Sequence, residues 1–161
     1  LSRQVGERIR SVGVKWVDTS GSGGTSWVAV EAQRAEDQRR QLGDTFWDWG
    51  IPTAGSVAQL SGLGLGVCAT GGVSNGLMVA KAIALGATVG GIARPFLQAH
   101  ARGGIDGARD YAKRVIAEIR IAALLTGSAS VADLQRASIV TDPRLNRWVV
   151  RNTPLGDRLG L

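Results

Sequence analysis

The sequence contains few residues of several kinds on which function often depends. Its 161 residues include one cysteine, Cys68, and one histidine, His100. A single cysteine excludes an internal disulfide framework and is expected of a protein in a reducing compartment. No apolar run reaches the roughly 18 residues that a membrane helix needs, so we expect no membrane association. The histidine has no partner nearby in sequence for catalysis or metal binding, and we expect it on the surface.

Glycine and positive charge are abundant. The chain has 23 glycines, and its 19 basic and 13 acidic residues give a net charge of +6. A hydrophobic share of 44% with 20% charged residues is typical of one globular domain, and it excludes disorder, collagen and coiled coil. The arginines are dispersed and do not alternate with aromatic residues, so the charge indicates an anionic ligand rather than nucleic acid.

Short apolar segments alternate with segments of helical periodicity. The apolar segments Val14–Asp18, Leu65–Thr70 and Thr88–Ala93 are predicted strands. Predicted helices cover residues 2–12, 29–42, 53–60, 77–85, 95–101, 106–125 and 130–137. Because the strands are apolar throughout and helices connect them, we expect parallel strands in chain order, buried on both faces.

Three strands do not complete either candidate architecture. An open doubly wound sheet and a (β/α) barrel both need further parallel strands, and exposed strand edges promote aggregation. The chain also begins with Leu1 rather than methionine and has no pattern of a signal peptide. We therefore expect the chain to be the latter part of a larger α/β unit.

Glycine-rich turns follow each predicted strand. The first is Thr19–Ser26, the second is Gly71–Gly76, and the third strand ends in Gly90–Arg94 with a guanidinium group. Glycine lets backbone N–H groups turn toward an anion, and a following helix adds its positive N-terminal end. Neighbouring turns of this kind in an α/β fold predict a phosphate site.

Five segments of the sequence resemble one enzyme family. They are DTSGSGGTSW (18–27), FWDWGIPTA (46–54), ATGGVSNGLMVAKAIALGA (69–87), GIARPFLQA (91–99) and IRIAALLTGSASVADLQRA (119–137). The chain resembles the type 2 isopentenyl diphosphate isomerases, which are flavin-dependent (β/α)8 TIM barrels. The resemblance covers residues 1–139, which would supply helix five to helix eight of the barrel. Residues 140–161 depart from it as a basic carboxy-terminal tail.

The resemblance implies which residues bind flavin mononucleotide (FMN). It assigns the loop after the first strand to flavin contacts and the other two turns to the phosphate, and it brings Trp27 close to the flavin and substrate. The implied FMN-binding residues are Ser20, Thr25, Gly71, Gly72, Val73, Ala93 and Arg94. It implies no catalytic residue and no metal ligand in this part of the barrel.

The resemblance also implies an activity. The family interconverts isopentenyl and dimethylallyl diphosphate with reduced FMN and Mg²⁺, and NADPH serves as the reductant. It further implies a cytoplasmic homo-oligomer. The substrate and magnesium residues would lie outside this chain, so we expect the 161 residues alone to be inactive.

Other functions are possible on the same fold. The 2-hydroxy acid oxidases share the FMN barrel, but they need a histidine and an arginine in the loop that here runs from Ser20 to Trp27 and contains neither. Nucleotide dehydrogenase barrels need a nucleophilic loop cysteine, whereas Cys68 falls inside a strand and is expected to be an inert core thiol. A non-catalytic half-barrel that binds phosphate is a third alternative. For Asp18, a structural role and a functional role are equally supported.

Overall fold

The computed structural model describes residues 1–161, except for the side chain of Asp37. Three short strands, β1 (Trp16–Asp18), β2 (Gly66–Ala69) and β3 (Val89–Gly90), form a parallel sheet in the order β1-β2-β3. Helices precede, connect and follow these strands. They are α1 (Arg3–Ser11), α2 (Trp27–Arg34), α3 (Asp37–Thr45), α4 (Thr53–Leu60), α5 (Gly76–Ala84), α6 (Arg94–Leu125), α7 (Val131–Arg136), α8 (Pro143–Asn146) and α9 (Pro154–Leu159).

The register of the sheet confirms the predicted topology. Asp18 pairs with Cys68, and Cys68 pairs in turn with Val89, so the strands are neighbours in chain order and parallel. Each strand is shorter than predicted because pairing begins one or two residues later, and β2 and β3 also end earlier. Lys15, which we expected inside the first strand, therefore precedes it and is exposed.

Local sequence determines where most helices begin and where the longest one breaks. Ser2 caps α1, because its hydroxyl accepts the N–H of Val5. The helix α6 contains non-helical backbone at Gly103 and Gly104, where the sequence predicted a break. The predicted helix over 29–42 is divided into α2 and α3. Of the helices in the described residues, none has both the length and the apolar character to span a membrane.

The main hydrophobic core lies on one side of the sheet. The side chains of Val17, Val67 and Ala69 pack there against α4 and its neighbours. The opposite face is open: Trp16 is 58% exposed and Val89 is 42% exposed. The expectation that both faces are buried is therefore wrong for this chain. The reason is that side chains alternate along a strand, and helices cover only one of the two faces.

The residues after 140 contribute to this core. Val149 and Leu155 are buried in it, and the guanidinium of Arg158 donates to the carbonyl of Ala84 at 3.0 Å. The sequence pattern did not predict α8 and α9, which are short helices capped by Asp142 and Thr153. Residues 140–161 thus cover the outer side of the sheet.

Replacing Leu155 by alanine is expected to destabilise the protein by about 2–5 kcal/mol, because Leu155 is 1% exposed and the cavity left behind cannot collapse fully. Urea unfolding of the full-length protein measures the change. The matched control is Val140→Ala, at a side chain that is 99% exposed, with an expected change below about 0.5 kcal/mol. Equal effects of the two substitutions would show that the segment does not pack as described.

Candidate functional site

A cavity of about 640 Å³ lies at the carboxyl ends of the three strands. Its lining comes from the loop after each strand, which is where ligands bind in α/β proteins. All seven residues that the sequence implicated in FMN binding line it, together with Trp27. The seven are Ser20, Thr25, Gly71, Gly72, Val73, Ala93 and Arg94. The topology thus brings residues 74 positions apart in sequence to one cavity.

Three threonines join the ends of β1 and β2. The hydroxyl of Thr19 donates to the carbonyl of Thr70 at 2.9 Å, and the N–H of Thr70 donates back to that hydroxyl at 3.0 Å. The hydroxyl of Thr53, at the start of α4, also donates to the carbonyl of Thr70. Thr19 is only 4% exposed, so this pair forms a buried connection between the two loops. The connection fixes the position at which both glycine-rich turns begin.

The carboxylate of Asp18 organises the first turn. Its Oδ1 accepts the N–H of Ser20 at 2.8 Å and also accepts the hydroxyl of Thr70. Ser20 has a φ of 38°, in the left-handed region, which is uncommon for residues other than glycine. A side-chain carboxylate that bonds the N–H two residues ahead supports such a turn. Asp18 therefore stabilises the backbone of a residue that lines the cavity.

The first two loops contact each other backbone to backbone. Gly71 and Gly72 have φ values of 96° and 82°. A Cβ on Gly71 would overlap the carbonyl oxygen of Gly21, and a Cβ on Gly72 would overlap that of Gly23. Glycine is required at both positions, for its positive φ and for this close approach.

The second loop is also held by α6. The hydroxyl of Tyr111 donates to the carbonyl of Ser74 at 2.5 Å, and the N–H of Gly76 donates to Glu118 Oε2 at 2.6 Å. Burial raises the pKa of Tyr111, which further favours the protonated hydroxyl that donates this bond. The N-terminus of α5 is thereby occupied by carboxylate and amide oxygens, including the capping Asn75.

The N-terminus of α6, by contrast, borders the cavity and lacks such a cap. Its N-cap residue is Ala93, and no described side chain hydrogen-bonds to its first turn. The guanidinium of Arg94 is exposed at the same position. Free N–H groups, the positive end of a helix and an arginine form a favourable environment for a phosphate. Between α5 and α6, it is therefore α6 that has the N-terminus suited to binding an anion.

Cys68 lies on the cavity side of β2 rather than in the core. It is half-buried and lines the cavity beside Asp18. Burial raises the pKa of its thiol, and the charge and hydrogen bond of Asp18 raise it further. A thiol that remains protonated at neutral pH is a poor nucleophile. The expected inertness of Cys68 is thus supported, although its expected location in the core is wrong.

Alkylation of Cys68 by iodoacetamide is expected to be slow at pH 7. The alkylation rate should rise with pH, and its midpoint should lie above the ordinary thiol pKa of about 8.5. Removing the neighbouring charge with Asp18→Asn should lower the midpoint, because one of the causes of the raised pKa is gone. Mass spectrometry of the labelled peptide over a pH series measures both. A midpoint at or below that of a free thiol would contradict this environment.

His100, the single histidine, lies outside the cavity. His100 is exposed on α6, in agreement with the prediction of a surface position. Among the described residues, no group of three or more histidines, cysteines or carboxylates is arranged to hold a metal ion.

Sequence reasoning missed the residues that support the site from a distance. Thr53, Tyr111 and Glu118 hold loop atoms that are 17 to 42 positions away in sequence. Thr53 lies in the segment FWDWGIPTA, but nothing in that segment indicates its contact with the second loop, and Tyr111 and Glu118 belong to no motif with a local signal. The one available indication was the spacing of seven residues between Tyr111 and Glu118, which predicts that both lie on one face of the helix.

Comparison with known proteins identifies the family. The model of the family described as FMN-dependent dehydrogenase matches residues 7–141. The chain belongs to this FMN-dependent dehydrogenase family. The match covers the sheet, all three glycine-rich turns and α6.

Three curated relatives of this chain carry the same name. A protein of Pyrococcus horikoshii named isopentenyl-diphosphate delta-isomerase is 38% identical over 99% of the chain. Proteins of the same name from Sulfurisphaera tokodaii and Halobacterium salinarum are each 40% identical, over 92% and 95% of the chain. The chain spans 43%, 42% and 43% of the length of these three relatives.

Solved structures of flavocytochrome b2 have a similar fold. A mutant of that protein with benzoylformate superposes with a TM-score of 0.66 at 23% identity, over 96% of this chain and 39% of the other. The recombinant flavin-binding domain of the baker's yeast protein gives the same values. At this identity the likeness shows the fold alone. The chain is thus an α/β protein with the fold of part of an FMN-dependent (β/α)8 TIM barrel.

Proposed function

We propose that this chain is the carboxy-terminal part of an FMN-dependent isopentenyl-diphosphate delta-isomerase of type 2. The observation that carries the proposal is the set of relatives of that name, at 38–40% identity over nearly the whole chain. The reaction moves a carbon–carbon double bond by one position, converting isopentenyl to dimethylallyl diphosphate. Reduced FMN and Mg²⁺ serve as cofactors, and NADPH serves as the reductant of the flavin.

The residues of the cavity fit an FMN phosphate. Gly71, Gly72 and Val73 line the cavity, together with Ala93 and Arg94 at the start of α6. The glycines have positive φ, and the first turn of α6 has no side-chain cap among the described residues. A phosphate supplies the acceptors that these N–H groups and the guanidinium lack. We assign the phosphate to these residues, and the rest of the flavin to Ser20 and Thr25.

In the proposed reaction, the cofactor rather than a side chain of this chain supplies the chemistry, as the resemblance implies. When bound, reduced flavin supplies the group that donates and removes a proton as the double bond moves. The chain's own residues would bind the phosphate, and the first loop, with Trp27 close by, would contact the rest of the flavin. The substrate diphosphate and the Mg²⁺ that neutralises it are held by residues of the barrel outside this chain.

The open face of the sheet supports a role as part of a larger barrel. Trp16, Asp18 and Val89 are exposed on the side that faces the interior of a barrel. Further strands would bury this face and would complete the flavin site. We propose that the complete enzyme acts in the cytoplasm as a homo-oligomer, as the resemblance implies.

The test is an assay of the full-length protein with isopentenyl diphosphate, reduced FMN and Mg²⁺. We expect a flavin absorbance spectrum in the purified protein and formation of dimethylallyl diphosphate, measured by mass spectrometry. Omission of FMN should abolish turnover. Flavin reduction by a 2-hydroxy acid without isomerisation would instead favour the oxidase alternative, and a protein that binds neither flavin nor substrate would contradict the proposal.

A further inference from the structure

Asp18 is a charged residue of the cavity, and the proposed phosphate-binding site gives it no contact with the ligand. It is the last residue of β1, it is exposed, and it lines the cavity together with Cys68 and Thr70. The register pairs it with Cys68, on the same open face of the sheet. Its carboxylate is therefore presented to whatever occupies the cavity.

The hydrogen bonds of Asp18 leave acceptor capacity unused. The backbone N–H of Ser20 and the hydroxyl of Thr70 both donate to Oδ1. The thiol of Cys68 lies beside the carboxylate, but a thiol is a weak donor. An ionised carboxylate has about four lone-pair sites, so Oδ2 can accept a further bond from a strong donor on a ligand. Within the described residues, no N–H or O–H group donates to Oδ2.

The charges in the cavity select the kind of donor. Arg94 and the N-terminus of α6 attract a phosphate at the end of β3, whereas Asp18, at the end of β1, repels one. A ligand that satisfies both ends has a phosphate at one end and hydroxyl groups further along. The ribityl chain of FMN has this pattern.

We propose that Asp18 binds the cofactor directly, by accepting a hydrogen bond at Oδ2 from a hydroxyl of the ribityl chain. Oδ1 meanwhile holds Ser20 and Thr70, so one carboxylate joins the loop to the ligand. This proposal rests on the proposed function, because it takes FMN as the ligand of the cavity.

The test compares FMN with a flavin phosphate whose side chain lacks the hydroxyl groups, in the full-length protein. Asp18→Asn keeps an oxygen for Ser20 and Thr70 but replaces the other carboxylate oxygen with an amide donor. Flavin fluorescence measures binding. We expect the substitution to weaken FMN binding by about tenfold or more, because a hydrogen bond to a charged group is lost. The affinity for the deoxy flavin should be the same in both proteins.

The matched control is Asp157→Asn, which removes the same charge at an exposed residue of α9 that does not line this cavity. We expect the control to bind both flavins as the unaltered protein does. Unchanged FMN affinity in Asp18→Asn overturns the inference, as does an equal loss for both flavins, which would mean that Asp18 acts only through its loop. Failure of the unaltered protein to bind FMN would overturn the proposed function itself and this inference with it.

Discussion

Replacing Gly72 by valine is expected to weaken FMN binding by about a hundredfold or more. At a φ of 82°, a residue with a side chain pays about 1–2 kcal/mol in backbone energy. Its Cβ would also overlap the carbonyl oxygen of Gly23, so the two loops must separate. The backbone N–H groups of the second loop would then no longer converge on the proposed phosphate position. Titration of the full-length apoprotein with FMN, followed by flavin fluorescence, gives the affinity.

Gly13→Val is the matched control for this substitution. Gly13 has a similar φ of 90°, but a Cβ added there has no atom within 4 Å, and the residue lies outside the cavity. The control should lower stability through the same backbone strain and leave FMN affinity unchanged. If Gly72→Val bound FMN as tightly as the control, the phosphate would not be held by this loop.

Residues 1–161 produced alone are expected to show no isomerase activity with reduced FMN and Mg²⁺. The cavity includes a phosphate end, but the proposed diphosphate and magnesium ligands lie elsewhere in the barrel. The inner face of the sheet, with Trp16 at 58% exposure, also lacks anything to pack against. At about 25 cal/mol per Å², a few hundred Å² of exposed apolar surface corresponds to several kcal/mol. That is comparable to the stability of a whole domain.

The measurement is conversion of isopentenyl to dimethylallyl diphosphate by the purified 161-residue chain, beside the full-length protein under the same conditions. We also expect the shorter chain to self-associate in sedimentation experiments, because β1 and β3 have open edges. Turnover within about tenfold of the full-length protein would refute this prediction, since a tenfold difference corresponds to only about 1.4 kcal/mol in the barrier.

The sequence was sufficient to predict the sheet and the location of the cavity. Both depend on local signals, namely apolar strands followed by glycine-rich turns. Parallel topology then brings the ends of the strands together without further information. Gly71 and Arg94 could therefore be assigned to one site from the sequence, although 23 positions separate them.

The supporting contacts could not be predicted in the same way. Asp18 meets Thr70 across 52 positions, and Glu118 meets Gly76 across 42. These contacts depend on how α6 packs on α5 and on the register in which β1 pairs with β2. No local sequence pattern specifies either of them. Leu155 was missed for a similar reason, because its burial depends on a surface formed by α4 and the sheet.

The backbone contact between the first two loops has a consequence for transplanting this site. Because Gly71 and Gly72 fit against Gly21 and Gly23, neither loop has a defined shape that is independent of the other. A designer who moved only the second loop into another barrel would lose the surface that shapes it. Both loops, with the threonine hydroxyls that join them, would have to be transferred as one module.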